Sequence, residues 1–289
     1  MHPAVKAALG VAASGAACVT YGVVVERHWF RLRELEVPDS DSGLRVLHVA
    51  DLHLTPPERP MERFLDGVAE RAYDLVVATG DLLGAVGAED VCVELLGRLT
   101  RWAPGVAVLG SNDVYAPAWK NPAHYFLRPD DRVYGARLDT ERLVGGLEDV
   151  GYSVLRGETA VIGTRSGPVG VGGIDDPHLQ GPLPPVGDLQ LTRDDVVARI
   201  GLTHSPYTDA LDLLVDAGYD LLLAGHTHGG QVRFPPIGAV VNNCDLPLDR
   251  SRGLSRWRGA WLHVSPGLGT SPYAPFRFAC RPEATLLTL

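Results

Sequence analysis

The segment from Asp220 to Gly230 constrains the fold of this chain more than any other. It reads Asp-Leu-Leu-Leu-Ala-Gly-His-Thr-His-Gly-Gly, a short apolar run that ends at a glycine. Such a run predicts a buried β-strand. Side chains two residues apart in a strand point the same way, so we expect His226 and His228 to project together from its carboxyl end. Because isolated His-x-His pairs are mostly ordinary core or surface histidines, a metal site requires matching ligands elsewhere.

Matching residues follow other predicted strands. The strands predicted over 44–50, 74–79, 106–109 and 199–203 end, in turn, at Asp51-Leu-His53, Gly80-Asp81, Gly110-Ser-Asn-Asp113 and His204. Helical spacing of apolar residues separates them over 61–73, 89–102 and 208–218. In open α/β sheets, ligands bind outside the carboxyl ends of the strands. We therefore expect these polar side chains to converge on one site.

Composition excludes several classes of protein. The chain has 289 residues, is 45% hydrophobic and 21% charged, and can bury one large core. Its formal net charge of -9 makes binding to long nucleic acid unfavourable, because a basic surface supplies most of that affinity. The four cysteines lie far apart without a Cys-x-x-Cys pair, so neither a zinc ribbon nor a redox motif is indicated.

The first 25 residues form a separate apolar segment. Residues 7–25 carry no charge, which is about the length that crosses a bilayer as a helix. We favour an uncleaved membrane anchor or membrane-lying helix over a cleaved signal peptide, which would mean export, or a buried helix. Arg27, Arg31 and Arg33 follow the segment, and positive charge tends to stay in the cytoplasm, so we expect a cytoplasmic catalytic domain.

The ordered motifs Asp51-Leu-His53, Gly80-Asp81, Gly110-Ser-Asn-Asp113, His204 and Gly225-His-Thr-His228 closely resemble the calcineurin-like metallophosphoesterase superfamily. The resemblance extends from about Arg45 to the C-terminus. The apolar N-terminus and the segments 265–271 and 277–283 look like a membrane-associated branch, some members of which cleave the pyrophosphate of UDP-diacylglucosamine. The resemblance implies one α/β domain over 26–289, with two mixed β-sheets packed together between helices. We expect strands near 260–264 and 284–289 to close the second sheet.

The resemblance also implies a dinuclear metal centre. One divalent ion would be held by Asp51, His53 and His228, and the other by His204 and His226. Asp81 would bridge both ions, and the Asn112 amide oxygen would complete the second site. This mixture of nitrogen and oxygen ligands suits Mn, Fe or Zn. The implied reaction is attack of a metal-bridging water on a phosphodiester or pyrophosphate bond of a lipid- or nucleotide-linked substrate.

One motif departs from the family pattern. Family members usually carry Gly-Asn-His-Asp or Gly-Asn-His-Glu where this chain has Gly110-Ser111-Asn112-Asp113. We favour the alignment in which Asn112 is the ligand and Asp113 takes the place of the histidine, because a serine hydroxyl is a poor neutral ligand. The usual histidine assists departure of the leaving group. We therefore expect pyrophosphates and activated diesters to be preferred over alkyl monoesters.

Other candidates have weaker support. His124 lies in an aromatic and basic stretch, 114–137, that is either a substrate-covering flap with phosphate-binding cations or an irregular loop. Arg277 is a candidate phosphate contact, although an arginine beside phenylalanine on a terminal strand is more often structural. Asp175-Asp-Pro-His178 favours a turn over a ligand set. His48, inside an apolar strand, is interpreted as a core histidine.

Two further functions remain open from the sequence. The chain could be a phosphodiesterase or nuclease for soluble substrates, with the apolar N-terminus as a tether. It could also be a metal-binding scaffold that lost catalysis through the altered Gly110-Ser-Asn-Asp113 motif.

Overall fold

Two six-stranded β-sheets packed face to face form the body of the structure. The computed structural model describes residues 2–119, 133–179 and 181–289. Within these ranges the helices are α1 (Pro3–Val24), α2 (Arg59–Ala69), α3 (Glu89–Leu99), α4 (Thr140–Asp149) and α5 (Thr208–Asp216). The strands are β1 (Arg31–Glu36), β2 (Arg45–Val49), β3 (Leu75–Thr79), β4 (Gly105–Val108), β5 (Tyr152–Val154), β6 (Glu158–Thr164), β7 (Gly167–Gly173), β8 (Ala198–Leu202), β9 (Leu221–Ala224), β10 (Arg233–Phe234), β11 (Gly238–Ala239), β12 (Gly253–Trp257), β13 (Ala260–Val264) and β14 (Glu283–Thr288).

Both sheets are mixed. The first has the order β1-β14-β2-β3-β4-β5, and the second has the order β12-β13-β9-β8-β7-β6. Strands β2 to β5 run parallel in the first sheet, and β7, β8, β9 and β13 run parallel in the second. A short antiparallel hairpin, β10 and β11, lies outside both sheets. The carboxyl ends of the parallel strands are therefore available to one shared site, as the sequence predicted.

Strand β3 shows why the apolar runs form buried strands. Leu75 and Val77 point into the core between the two sheets, whereas Val76 and Ala78 point into the core on the other side of the first sheet. Alternate residues of a strand face opposite ways, so an uninterrupted apolar run lets both faces be covered. Burying each such side chain stabilises the fold by roughly 1.5–3 kcal/mol.

Helices cover the outer faces of the sheets. Apolar residues of α2, α3 and α4 pack on the first sheet, and those of α5 pack on the second. The four layers are thus helix, sheet, sheet and helix, which confirms the expected fold class.

The last strand lies elsewhere than expected. Strand β13 does extend the second sheet, but β14 belongs to the first, where it pairs parallel with β1 and antiparallel with β2. The apolar pattern of residues 284–289 identifies a buried strand, yet it fits either sheet equally well. The expectation that β14 closes the second sheet was therefore wrong. In its observed position β14 forms backbone hydrogen bonds with both β1 and β2.

Helix α1 projects from this body. Almost all of its residues are exposed, and Pro3–His28 is the one helix in the described ranges that is long and apolar enough to cross a bilayer. Its far end is fixed to the domain by Glu26, which is buried. The Glu26 carboxylate accepts hydrogen bonds from the backbone N–H groups of Ala279 (3.0 Å) and Cys280 (2.6 Å).

Candidate metal centre

Loops after four strands bring the expected ligands together. Two groups have potential ligand atoms that all lie within 4.8 Å of one another: Asp51, His53 and His228 form one, and Asp51, Asp81 and His204 form the other. Asp51 and His53 follow β2, Asp81 follows β3, His204 follows β8, and His228 follows β9. The carboxyl ends of both sheets therefore meet at this site.

The backbone at these positions is unusual. Asp51, His53, Asp81, His226 and His228 all have positive φ, between 42° and 68°. Residues other than glycine rarely adopt this left-handed backbone conformation, and such strained residues cluster at functional sites. The conformation directs each side chain away from the line of its strand and toward the other ligands. Strand periodicity alone, from which we expected His226 and His228 to project together, does not describe this geometry.

Two glycines give the carboxylates their space. A Cβ added at Gly110 would overlap Oδ1 of Asp81, and one added at Gly225 would come within 2.6 Å of Oδ2 of Asp51. Both positions therefore require glycine because a ligand carboxylate lies against the backbone.

The first group brings two imidazoles and a carboxylate together. Nε2 of His53 lies 3.1 Å from Nε2 of His228, which in turn lies 3.8 Å from Oδ1 of Asp51. The Asp51 carboxylate is held by the backbone N–H of His226, at 2.9 and 3.1 Å. Metal–nitrogen bonds of about 2.0–2.1 Å fit two ring nitrogens at this separation around one ion.

Asp81 lies between the histidines. Its Oδ2 atom is 3.5 Å from Nε2 of His53 and 3.4 Å from Nε2 of His204. His204 has its other nitrogen, Nδ1, 2.6 Å from the carbonyl oxygen of Thr79. A carbonyl oxygen only accepts, so Nδ1 carries a proton, and Nε2 is the nitrogen that can bind a metal ion. This bond orients the ring as outer contacts of metal-bound histidines do.

His226 lies beside the cluster, on the side of the second sheet, but belongs to neither group of potential ligands. Its ring centroid lies 5.2 Å from that of His204 and 4.6 Å from that of His178. Nε2 of His226 lies 3.2 Å from the carbonyl oxygen of Asn243, so Nε2 donates and Nδ1 remains free to bind a metal ion.

Burial sets the charges of these groups. Burial lowers the pKa of His53 and of His226 to about 4, and burial together with the nearby His53 lowers the pKa of His228 well below its usual value. These three imidazoles are neutral at pH 7, which is the form that binds metal. Burial also raises the pKa of Asp51 to about 7, a cost that a bound cation would offset.

Asp81 and His204 form a coupled pair. Burial alone would raise the pKa of Asp81, but His204 and His53 hold it well below its usual value. Burial alone would lower the pKa of His204, but Asp81, followed by Asp176, raises it. Asp81 is therefore ionised, and the His204 ring holds an extra proton. A metal ion that binds His204 would displace this proton.

The residues present fit divalent metal ions. Nε2 of His204, the nitrogen that lies beside Asp81, is buried without a hydrogen-bond partner. A buried unpaired polar atom costs about 1–3 kcal/mol, so this atom calls for a ligand. The surrounding donor set of imidazole nitrogens and carboxylate oxygens suits Mn, Fe or Zn.

Asn112 and Asp113 lie differently from one another. Asn112 contacts Asp81 through its backbone N–H, at 2.8 Å, and its side-chain amide, at 2.6 Å. Asp113 is fully buried, and its carboxylate accepts from the backbone N–H groups of Leu82, Leu83 and Gly110. Both Asp113 oxygens are thus committed to the loop. This corrects the expectation that Asp113 stands in for the histidine near the leaving group.

The two candidate substrate contacts have different outcomes. Arg277 is fully buried, and its guanidinium donates to the carbonyl oxygens of Pro266 (2.8 Å) and Gly269 (2.6 Å). Its Nη2 also lies 3.4 Å from Nδ1 of His228. Arg277 therefore supports the loop and His228 from behind, which corrects its expected role as a phosphate contact. His124 lies outside the described residues.

Asp176 and His178, which we interpreted from the sequence as part of a turn, lie next to the candidate metal centre. Asp176 and His178 are both buried, and the His178 ring lies against His226. Asp176 accepts from the backbone N–H of His178 at 3.0 Å. The signal was present in the sequence, because Asp175 and Asp176 come soon after β7 just as the ligands follow β2, β3 and β9.

The histidines and carboxylates clustered at the strand ends of this helix–sheet–sheet–helix fold are a donor set that could hold divalent metal ions. Residues 44–230 match the family model described as calcineurin-like phosphoesterase. The chain belongs to this family.

Curated relatives share most of the chain. It is 29% identical to the uncharacterized metallophosphoesterase YkoQ of Bacillus subtilis, over 84% of this chain and 82% of the relative. It is 28% identical to the phosphodiesterase YaeI of Escherichia coli, over 91% and 90%. It is 23% identical to the UDP-2,3-diacylglucosamine pyrophosphatase LpxG of Chlamydia trachomatis, over 85% and 83%.

Proposed function

We propose that this chain uses two divalent metal ions, Mn, Fe or Zn, to hydrolyse a phosphodiester or pyrophosphate bond of a lipid- or nucleotide-linked substrate. The observation that carries the proposal is that Oδ2 of Asp81 lies between Nε2 of His53, at 3.5 Å, and Nε2 of His204, at 3.4 Å, which are proposed ligands of different ions. Two ions side by side would supply a shared water of lowered pKa and a clamp for the phosphoryl oxygens.

The residues of the chain prepare this site. Asp51, His53 and His228 would hold one ion, and His204 and His226 the other. Asp81 would contact both, with the Asn112 amide beside it. The hydrogen bonds from His204 to Thr79 and from His226 to Asn243 leave the opposite ring nitrogens free, which supports this arrangement.

The leaving group sets the preferred substrates. Since both oxygens of the buried Asp113 carboxylate face backbone N–H groups, neither is placed to donate a proton to a leaving oxygen. Substrates whose leaving group is a phosphate or another weakly basic oxygen need little such help. Faster hydrolysis of simple alkyl monoesters than of activated diesters would contradict this preference.

The N-terminal helix supports action at a membrane. Pro3–His28 is apolar and exposed, and Arg27, Arg31 and Arg33 at its end favour a cytoplasmic catalytic domain. The name of the Chlamydia relative points to a lipid-linked pyrophosphate as the kind of substrate.

Metal restoration tests the function. Protein stripped with a chelator is given Mn, Zn, Fe or Mg separately, and hydrolysis of an activated diester and of a lipid-linked pyrophosphate is measured. His226→Ala should lose at least a hundredfold in rate, whereas His2→Ala, at an exposed position, should not. Absence of metal-dependent turnover on both substrates would favour a scaffold, and an unchanged rate for His226→Ala would refute the site.

A further inference from the structure

A cavity of about 280 Å³ opens beside the metal centre. It lies between the end of α1, helix α2 and the loop 268–275, and His53 forms part of its wall. A metal ligand is thus shared between the reacting centre and this cavity. A substrate whose phosphorus is held at the metals has the cavity directly next to it.

The deep wall of the cavity is apolar. Leu52, Met61 and Leu268 are buried there, and Phe30 lies in front of them. The Phe30 ring is stacked on Phe64 of α2, with centroids 5.3 Å apart. Packing of this kind keeps the wall in place in the absence of a ligand, so an apolar group can enter a preformed site.

The mouth of the cavity is polar and carries one guanidinium, that of Arg27, and one carboxylate, that of Glu58. Arg27 and His28 line it, and Nη1 of Arg27 donates to the carbonyl oxygen of Pro275 across the opening. Glu58, on the same rim, accepts from Thr55 at 2.9 Å. Within the described ranges Arg27 forms no ion pair with a carboxylate, so its charge is available to an anionic group.

The position of the cavity relative to α1 indicates its occupant. Arg27, His28 and Phe30 come directly after the apolar helix Pro3–Val24. If α1 lies in a membrane, the cavity mouth is at the membrane surface, where alkyl chains are at hand. An apolar wall, an arginine at a polar mouth and an adjacent candidate metal centre together suit an amphiphile.

We propose that this cavity binds the alkyl chain of an amphiphilic phosphodiester or pyrophosphate whose phosphate group is hydrolysed at the metal centre. This inference rests on the proposed function. It adds that the alkyl chain of the substrate determines which substrates are preferred. Met61 at the deep wall and Pro272 at the rim limit the size of the chain.

The test compares substrates with the same leaving group. Full-length protein in one detergent is assayed with the methyl, butyl and octyl esters of p-nitrophenyl phosphate, below the concentration at which they form micelles. We expect kcat/KM to rise at least tenfold from methyl to octyl. Met61→Trp, which fills part of the cavity, should reduce the ratio of kcat/KM for the octyl ester to that for the methyl ester at least tenfold.

Controls separate the cavity from general damage. Val161→Trp, on β6 far along the second sheet, should leave both substrates unaffected. Pro272→Trp narrows the rim from an exposed position and repeats the test if Met61→Trp does not fold. No chain-length preference, or a preference that survives both substitutions, would overturn the proposal.

Two further measurements distinguish the remaining outcomes. If thymidine 5′-p-nitrophenyl phosphate is preferred over the octyl ester and Met61→Trp removes that preference, the cavity binds a nucleoside and the alkyl proposal is wrong. Failure of metal-dependent hydrolysis of all three esters and of a lipid-linked pyrophosphate would refute the proposed function alone. Calorimetric binding of octyl phosphate needs no turnover, and tenfold weaker binding to Met61→Trp would still support the cavity.

Discussion

Asn112 and Asp113 are neighbours in the sequence but contact different parts of the molecule. Asn112 lies on Asp81 at the metal centre, whereas Asp113 binds three backbone N–H groups beneath it. The order of the motifs in the sequence indicated that one metal ligand comes from the segment Gly110-Ser-Asn-Asp113. It could not assign the roles within it, since either residue can bind a metal and only the backbone path decides which side chain faces the site.

We expect Asp113→Asn to destabilise the fold and Asn112→Ala to weaken the site. An asparagine at 113 turns an N–H group toward a backbone donor, so the free energy of unfolding should fall by about 1–3 kcal/mol. Asn112→Ala should leave stability nearly unchanged but reduce retained metal and kcat. Chemical denaturation and metal analysis after dialysis measure the two effects. A stable Asp113→Asn protein with strongly reduced kcat would instead make Asp113 a proton donor.

A second pair of buried histidines joins the two sheets. Nδ1 of His48 lies 2.9 Å from Nδ1 of His263, and Nε2 of His48 lies 2.8 Å from Oγ1 of Thr79. Burial and the adjacent His263 lower the pKa of His48, and burial, followed by the charge of Arg33, lowers that of His263 to about 3. The interpretation of His48 as a core histidine agrees with its full burial.

This pair should make the protein sensitive to acid. In the unfolded chain both histidines bind protons below a pH of about 6.5, whereas the folded protein keeps them neutral. The free energy of unfolding should therefore fall as pH decreases from about 6.5 toward 3. His263→Gln should reduce this slope by up to about 1.4 kcal/mol per pH unit, measured by denaturation of metal-free protein. An unchanged slope, matching that of His2→Gln, would contradict the assignment.

At the scale of elements, the loop after Arg277 connects the N-terminal helix to the metal centre. Glu26 binds the backbone of Ala279 and Cys280, and Sγ of Cys280 lies 3.2 Å from the carbonyl oxygen of His228. The end of α1 and a candidate ligand are thus separated by one loop.

We expect Glu26→Gln to loosen this connection. The glutamine amide cannot accept both backbone N–H bonds, so one donor stays buried and unpaired, at a cost of about 1–3 kcal/mol. Denaturation should show the loss, and titration with Mn should show weaker metal binding. Glu34→Gln is the matched control, because Glu34 forms only an exposed ion pair with Arg71. Equal behaviour of the two variants would remove Glu26 from this role.

The parallel strands and their polar ends were predictable, but the contacts between distant segments were not. Apolar runs identified β2, β3, β4 and β9, because both faces of these strands are buried. The place of β14, the burial of Glu26 and the position of His178 depend on which segments meet in the fold. A single sequence carries no direct record of such long-range pairing.

At the scale of the whole molecule, helix α1 is the main exposed apolar surface. We expect Val11→Lys with Val19→Lys to move the protein from the membrane fraction to the soluble fraction, since each charge costs roughly 2.5–3.5 kcal/mol near the bilayer centre. Hydrolysis of the methyl ester of p-nitrophenyl phosphate should be unchanged.

Cell fractionation followed by an alkaline wash measures this shift. Val161→Lys with Val197→Lys, two partly exposed positions on the catalytic domain, controls for added charge. If the α1 variant stays with the membranes after the wash, the helix is not the element that holds the protein there.

The position of β14 between β1 and β2 also affects when the first sheet can form. Residues 283–288 leave the ribosome after every other strand, yet they fill the gap between β1 and β2. Domains form as their segments are synthesised, N-terminal parts first. Helix α1 can therefore reach a membrane while β1 still lacks its partner. Completion of the first sheet, and of the loop that supports His228, therefore waits for the synthesis of β14.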